Sequence, residues 1–563
     1  MIDWYGASGI LVFYSIILGV GVWAGTKKKN NGEEEVMLAG RSIGQTVGIL
    51  TLIATWAGGA YFTGIAEAFF TTGLLWCQMP IGYSFNLAVG ALLFAKPMRE
   101  AGYITMLDPF QEKYGSRIGG LLFLPAFLGD ILILAATLGA LGVSLEVILD
   151  ISKYWSVTIS TMFAAAYTIT GGLYSVTYTD VLQLLFMVFG LLLSFPFAIN
   201  NVQYYPKDPS NSTLSSNIDW IGHVEPKDYV FWVEQMLILV FGGIVNQSFF
   251  QRILSLKSSI NAFNISLISA TVCFLLAIPA ASFGIVAKLV DWSKIPSYGK
   301  PFDYSESSAI LPLVLRNLTP NWVAFFGLGA VSASVMASAD SIILSSSSMF
   351  TRNIYKLSFR PQATENELMC VLRLSIIVVS VVSCYIALSS GSIYYLAVVC
   401  SDIVYVVLFP QLLVVVYWTK YVNGYGCLVS FVLGLVLRIT GGEPDLGIPP
   451  MIKYPWYDDT TRRQLFPYKT LAMLLSAISL IMISQLVSYI FHNRILDPEQ
   501  WDVLNAFQEF RPTESRKRQP KESEHLNVHI IKYRRTNEPH NYTSEISSYQ
   551  PSTTIEEKTK SRF

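Results

Sequence analysis

Apolar residues gather in runs of about 20, divided by short polar stretches, and about 13 such runs lie between Tyr5 and Phe491. Their approximate bounds are 5–24, 47–70, 75–94, 118–149, 154–169, 177–199, 229–250, 263–290, 322–350, 369–388, 394–418, 425–437 and 471–491. Lipid offers no partner to an open backbone N–H or C=O, so a run of this length crosses a bilayer as a helix. The pattern predicts an all-α polytopic membrane domain over residues 1–491. The first run has no basic stretch before it and is followed by Lys27, Lys28 and Lys29, which marks a retained helix and not a cleaved signal. Residues 492–563 read differently. They are rich in Ser, Thr, Glu, Lys and Arg and have no apolar period, which predicts a disordered cytoplasmic tail able to meet trafficking proteins.

Positive charge in the short loops sets orientation. Lys27 to Lys29, Lys96 with Arg99, Arg252 with Lys257, Arg352 with Lys356 and Arg360, and Lys420 fall in alternate loops, which are read as cytoplasmic. An odd number of crossings then puts the amino terminus outside and the carboxyl terminus inside, as for a multi-pass protein of the plasma membrane or of vesicles. Two outside loops carry the glycosylation sequons at Asn211 and Asn317. Asn211 is the favoured site, since Asn317 abuts a helix and precedes Pro320; the triplets at Asn264 and Asn541 are read as chance matches.

Composition agrees with a chain dissolved in lipid: 52% of residues are hydrophobic and 14% charged. The formal net charge is zero, which implies no nucleic-acid partner. All six cysteines lie in or against apolar runs, where no structural disulfide is expected, and all five histidines lie outside them. A buried histidine-based triad or metal centre is therefore not available, and no nucleophile, acid and base group together as an enzyme requires.

Helix breaks carry the functional signal. The second run reads Ala54-Thr55-Trp56-Ala57-Gly58-Gly59-Ala60-Tyr61, and five crossings later the seventh reads Gly242-Gly243-Ile244-Val245-Asn246-Gln247. Unwound backbone is tolerated at membrane depth only where it is buried in protein or lines a cavity, and its carbonyls can then hold a cation. Two breaks in matching places of two five-helix blocks point to a secondary transporter built from inverted repeats. Gly-Gly pairs that merely let helices pack closely are the plainer reading of either break alone. In the ninth run Ser334, Ser338, Ser341 and Ser345 recur along one face, while Asp340 lies about 200° around the helix from Ser338. A carboxylate in mid-membrane is costly unless paired or bound to a cation, so Asp340 is a functional candidate. Asp180 opens the sixth run, where an interfacial cap is its plainer reading, and Asp130 lies within the fourth.

These residues resemble the sodium/solute symporter family, and within it the high-affinity choline transporters. The resemblance is carried from the first run to about Phe491 by Ala54-Thr55-Trp56, Pro80-Ile81-Gly82-Tyr83, Thr105-Met106-Leu107-Asp108-Pro109-Phe110-Gln111, Gly171-Gly172-Leu173-Tyr174-Ser175-Val176, Ser338-Ala339-Asp340-Ser341 and Leu437-Arg438-Ile439-Thr440-Gly441-Gly442-Glu443-Pro444. It implies LeuT-type inverted five-helix repeats and sodium as the co-transported ion, with chloride a further candidate. It also implies sodium ligands at the carbonyls of Ala54 and Ala57 and the hydroxyls of Ser334 and Ser338, with Ala337 lacking a hydroxyl often found at its position. A second sodium site matches Asp180 and Asp340.

For the solute, the resemblance implies a pocket at Trp56, Tyr83, Ile133 and Asn246. A quaternary ammonium is recognised by aromatic faces. Trp56 and Tyr83 match aromatic walls of the choline pocket, against ordinary bundle packing as their plainer reading. Ile133 and Asn246 stand where those transporters have tryptophan. Sodium-coupled import of choline is the first expectation. A symporter retuned to another small solute is the second, and a solute-gated sensor or leak channel without concentrative transport the third.

Overall fold

A computed structural model describes residues 4–27, 32–202, 220–389, 392–443 and 448–507. Asn211, Asn541, Lys28, Lys29 and the tail from residue 508 onward lie outside the described residues. Nine helices among the described residues are long and apolar enough to cross a membrane, and ten if the pair Gln45–Trp56 and Gly59–Thr71, bent by 46°, forms one crossing. Three of the runs read from the sequence are helical but do not meet that measure: 79–100, 153–171 and the 17-residue Gly424–Thr440. The count of about 13 is thus not reached on length and hydropathy. A small hairpin pairs Tyr457–Asp458 with Arg463–Gln464 ahead of the last long helix, an element without apolar signature in the sequence.

Asn321–Met349 runs through the centre, buried without interruption from Gly327 to Met349, and packs on Trp4–Gly25, Phe123–Leu149 and Lys153–Val202. Its glycines, alanines and serines let neighbouring backbones approach, which is how helices associate when lipid is as apolar as the side chains. Peripheral helices do the reverse. Tyr468–His492 leaves Met482, Leu486 and Tyr489 exposed, as a face turned to lipid requires.

Two sequence expectations change. Lys153–Val202 breaks at Gly172, whose φ of 61° and ψ of −170° suit only glycine. The second half therefore starts ahead of the run read at 177–199, and Asp180 lies two turns inside it, fully buried, so it is not an interfacial cap. Arg252 also departs from the loop assignment. It belongs to Gln247–Leu254 and is 2% exposed, because a buried acid holds it inside the bundle.

Arg352 and Lys356 are likewise committed. They lie on the π-helical continuation Phe350–Phe359 and pair with Glu33, at 2.6 and 2.5 Å, while Arg352 also reaches Asp108 at 3.1 Å. Asp108 further accepts from Ile104 N, Thr105 Oγ1 and Asn353 Nδ2. Burial alone would raise both carboxyls. Arg352 and Lys356 hold Glu33, and Arg352 with these donors holds Asp108, below the ordinary carboxylate range.

Candidate functional site

The two breaks meet one cavity. At the first, Gln45–Trp56 stops and Gly59–Thr71 begins, and Gly58 lies so close to the central helix that an added Cβ would sit 1.3 Å from Ser338 Oγ. Only glycine permits that approach. At the second, Tyr229–Leu237 loosens into the π-helical stretch Ile238–Gly242, and Asn246 takes extended angles before Gln247–Leu254. Here an added Cβ on Gly243 would meet Asn86 Nδ2 at 1.8 Å.

Between them lies a cavity of about 70 Å³ lined by Trp56, Tyr61, Tyr83, Ile133, Asn246 and Ser338, among others. All four residues read from the sequence as the solute pocket therefore face one space. Tyr61 was not among them. Its ring stacks on Tyr83 with centroids 5.7 Å apart and planes 23° from parallel, and its hydroxyl donates to Cys273 O at 3.0 Å. The signal for Tyr61 was its place just past the first break. Trp56 packs edge-on against Phe249, and no lining residue carries a charge.

Asn246 has a second role beside lining the cavity: its Oδ1 accepts the Ser248 N–H at 2.8 Å and caps Gln247–Leu254. Ile133 also lines the cavity and is partly buried, on a helix buried over most of its length.

Oxygen atoms beside this cavity are arranged in two groups. One comprises Ser338 Oγ, which donates to Thr55 O at 3.4 Å; Ala54, Ala57 and Ala337, the neighbouring residues of the implied site, are all buried. Ser334 Oγ, one turn away, is buried and has no hydrogen-bond partner among the described residues. The other centres on Asp180 and Asp340. Asp180 Oδ2 accepts from Thr51 Oγ1 at 2.5 Å and from Arg252 Nη2 at 3.1 Å. Arg252 Nη2 also donates to Ser341 Oγ at 2.5 Å, next in sequence to Asp340. Among the described residues, both oxygens of Asp340 and Oδ1 of Asp180 are buried with no partner in hydrogen-bonding geometry. Three orphan carboxylate oxygens at membrane depth are hard ligands of the kind a small cation takes. Arg252 is the residue here that sequence reasoning misplaced.

Comparison with known proteins places most of the chain in one family. The model of the sodium:solute symporter family matches residues 36–434. High-affinity choline transporter 1 of Drosophila melanogaster is 50% identical over 501 residues, covering 88% of this chain and 81% of its own length. High affinity choline transporter 1 of Homo sapiens is 45% identical over 513 residues, covering 89% of this chain and 88% of its own. A solved Na+-coupled sialic acid symporter, in a substrate-bound outward-open state, aligns with a TM-score of 0.67 at 17% identity, over 86% of this chain and 98% of its own; at that identity the likeness shows the fold.

Proposed function

The chain belongs to the sodium:solute symporter family, and from that premise we propose that it imports choline, drawn inward by sodium, across the plasma membrane. It is a multi-pass transporter of that family and not an enzyme. The observation that carries the choline reading is the cavity itself. Trp56 and Tyr61 at the first break and Tyr83 on Met79–Gly90 line it, with no charged residue among the lining. A quaternary ammonium cannot donate a hydrogen bond from its nitrogen, and it is attracted to aromatic faces by about 0.5–2 kcal/mol each. Whole-length similarity to choline transporters of fly and human supports the same reading.

Sodium is assigned to the two oxygen groups. Ala54, Ala57, Ser334 and Ser338 hold one ion beside the cavity, and Asp180 with Asp340 hold another deeper in the bundle. The orphan oxygens of Ser334, Asp180 and Asp340 support this assignment. Within the bilayer the amino terminus faces outward and the tail inward, with the glycan at Asn211. Asn317 is the weaker acceptor, since its Nδ2 donates to Leu313 O within its own helix.

A second reading keeps the sodium and changes the solute. Asn246 lines the cavity with an amide, at a position that the family resemblance matches to an aromatic wall, and an amide suits a hydroxyl, amide or carboxylate. Uptake of labelled choline into vesicles, in a sodium gradient and in potassium, with a panel of small competing solutes, separates the two. Sodium-dependent uptake that unlabelled choline inhibits most strongly supports the first reading; a better competitor bearing a carboxylate or amide supports the second.

A further inference from the structure

Arg252 stands where the second sodium site is assigned. Its guanidinium spans three elements: Asp180 on Lys153–Val202, Ser341 on the central helix and, through Nε at 3.3 Å, Thr51 on the first broken helix. The side chain leaves from Gln247–Leu254, the helix that Asn246 caps at the cavity wall. Two carboxylates and one guanidinium leave this cluster one negative charge, with three carboxylate oxygens unpartnered, which matches a single monovalent cation.

Asp180 is the shared element. A sodium ion coordinated by Asp180 and Asp340 draws the carboxylate charge that holds Arg252, and the guanidinium must then lean on Ser341, Thr51 and Gln251 alone. Gly243, the end of the second break's glycine pair, lies five residues upstream of Ser248 and nine upstream of Arg252, so any shift of this short helix is delivered to Gly243, Asn246 and Ser248, three residues of the cavity wall.

We propose that Arg252 is an internal counter-ion competing with sodium for Asp180, and that its release on sodium binding sets the solute cavity. It is a positioning residue for coupled transport, and the proposal rests on the sodium-driven reading above. Such a device gives sodium and solute a mutual affinity, because each favours the same state of one helix.

The test uses the full-length protein in vesicles, with initial choline uptake followed against sodium at constant ionic strength. In Arg252→Gln the half-saturating sodium concentration is expected to fall about fivefold or more, the lower range of ordinary site-to-site coupling, and choline affinity should lose its dependence on sodium. Arg252→Lys keeps the charge but not the forked geometry, and is expected to fall between Arg252→Gln and the parent. Wild-type uptake that ignores sodium would sink the sodium-driven reading itself. Sodium-dependent wild-type uptake with both variants unchanged in sodium half-saturation overturns the role of Arg252 alone. Should either variant fail to reach the membrane, hydrogen exchange of the unaltered protein decides: residues 247–254 are expected to exchange faster in sodium than in potassium, and equal or slower exchange overturns the proposal.

Discussion

Asn246 Oδ1 accepts the backbone N–H of Ser248 at 2.8 Å, capping Gln247–Leu254 at the point where the chain leaves the cavity wall. One side chain thus holds the second break and lines the cavity. Aspartate caps a helix as well as asparagine does and replaces the amide NH2 with negative charge. Asn246→Asp therefore keeps the cap and, in protein that reaches the surface, is expected to strengthen choline uptake, read as a lower half-saturating choline concentration. A solute bearing a carboxylate would bind more weakly in the same variant, so competition in Asn246→Asp reports which chemistry the cavity takes.

Ile133 opens a second wall. Ile133→Trp leaves the cap at Asn246 untouched and adds an aromatic face, worth about 0.5–2 kcal/mol, or roughly 2- to 30-fold in apparent choline affinity. Overpacking opposes the gain if neighbouring side chains cannot yield. Apparent affinity in surface-expressed protein is the measurement. Weaker choline uptake at equal surface level contradicts an open aromatic wall at this position.

The Glu33–Arg352–Asp108 cluster predicts a pH response. Both acids are held below their ordinary values of 4.5 and 3.8, so their stabilisation is present above those values and is lost only as pH falls through the lowered ones. Between pH 7 and pH 5 this cluster leaves wild-type melting unchanged. Removing the guanidinium takes away the cation that faces Asp108, while Glu33 keeps Lys356, so burial raises the Asp108 carboxyl, and an acid with a raised folded pKa gains stability as pH falls. Arg352→Gln is thus expected to melt lower than wild type at pH 7, by about 3–5 kcal/mol of stability, and to recover part of that loss at pH 5. A variant whose deficit is the same at both pH values contradicts the charge assignment.

Orientation is tested by the glycan. Asn211→Gln is expected to abolish an enzyme-sensitive mass shift, and an epitope placed after Phe563 should be labelled only in permeabilised cells. Labelling on intact cells reverses the topology.

Much of this was legible in the chain because membrane helices and their breaks are local signals. Runs of apolar residues gave the spans, and paired glycines at Gly58-Gly59 and Gly242-Gly243 gave the breaks that border the cavity. Trp56, Tyr83, Ile133 and Asn246 came from a family resemblance, and the structure places all four on that cavity. Pairing between distant segments was not legible. Arg252 and Asp180 are 72 residues apart, and an arginine just past an apolar run looks like a loop charge. The N-cap role of Asn246 was hidden for a related reason, since its partner Ser248 matters only once the helix is known to restart at Gln247.

Asp340 carries the central claim most directly, with both carboxylate oxygens buried and unpartnered beside the Asp180–Arg252 pair. The decisive measurement is choline accumulation in proteoliposomes under an inward sodium gradient, for wild type and Asp340→Asn, at matched protein content. Sodium-driven coupling predicts that wild type accumulates choline above the outside concentration, that potassium in place of sodium abolishes this, and that Asp340→Asn does not concentrate choline in either salt. Accumulation by Asp340→Asn equal to wild type, or by wild type equally in potassium, would contradict it.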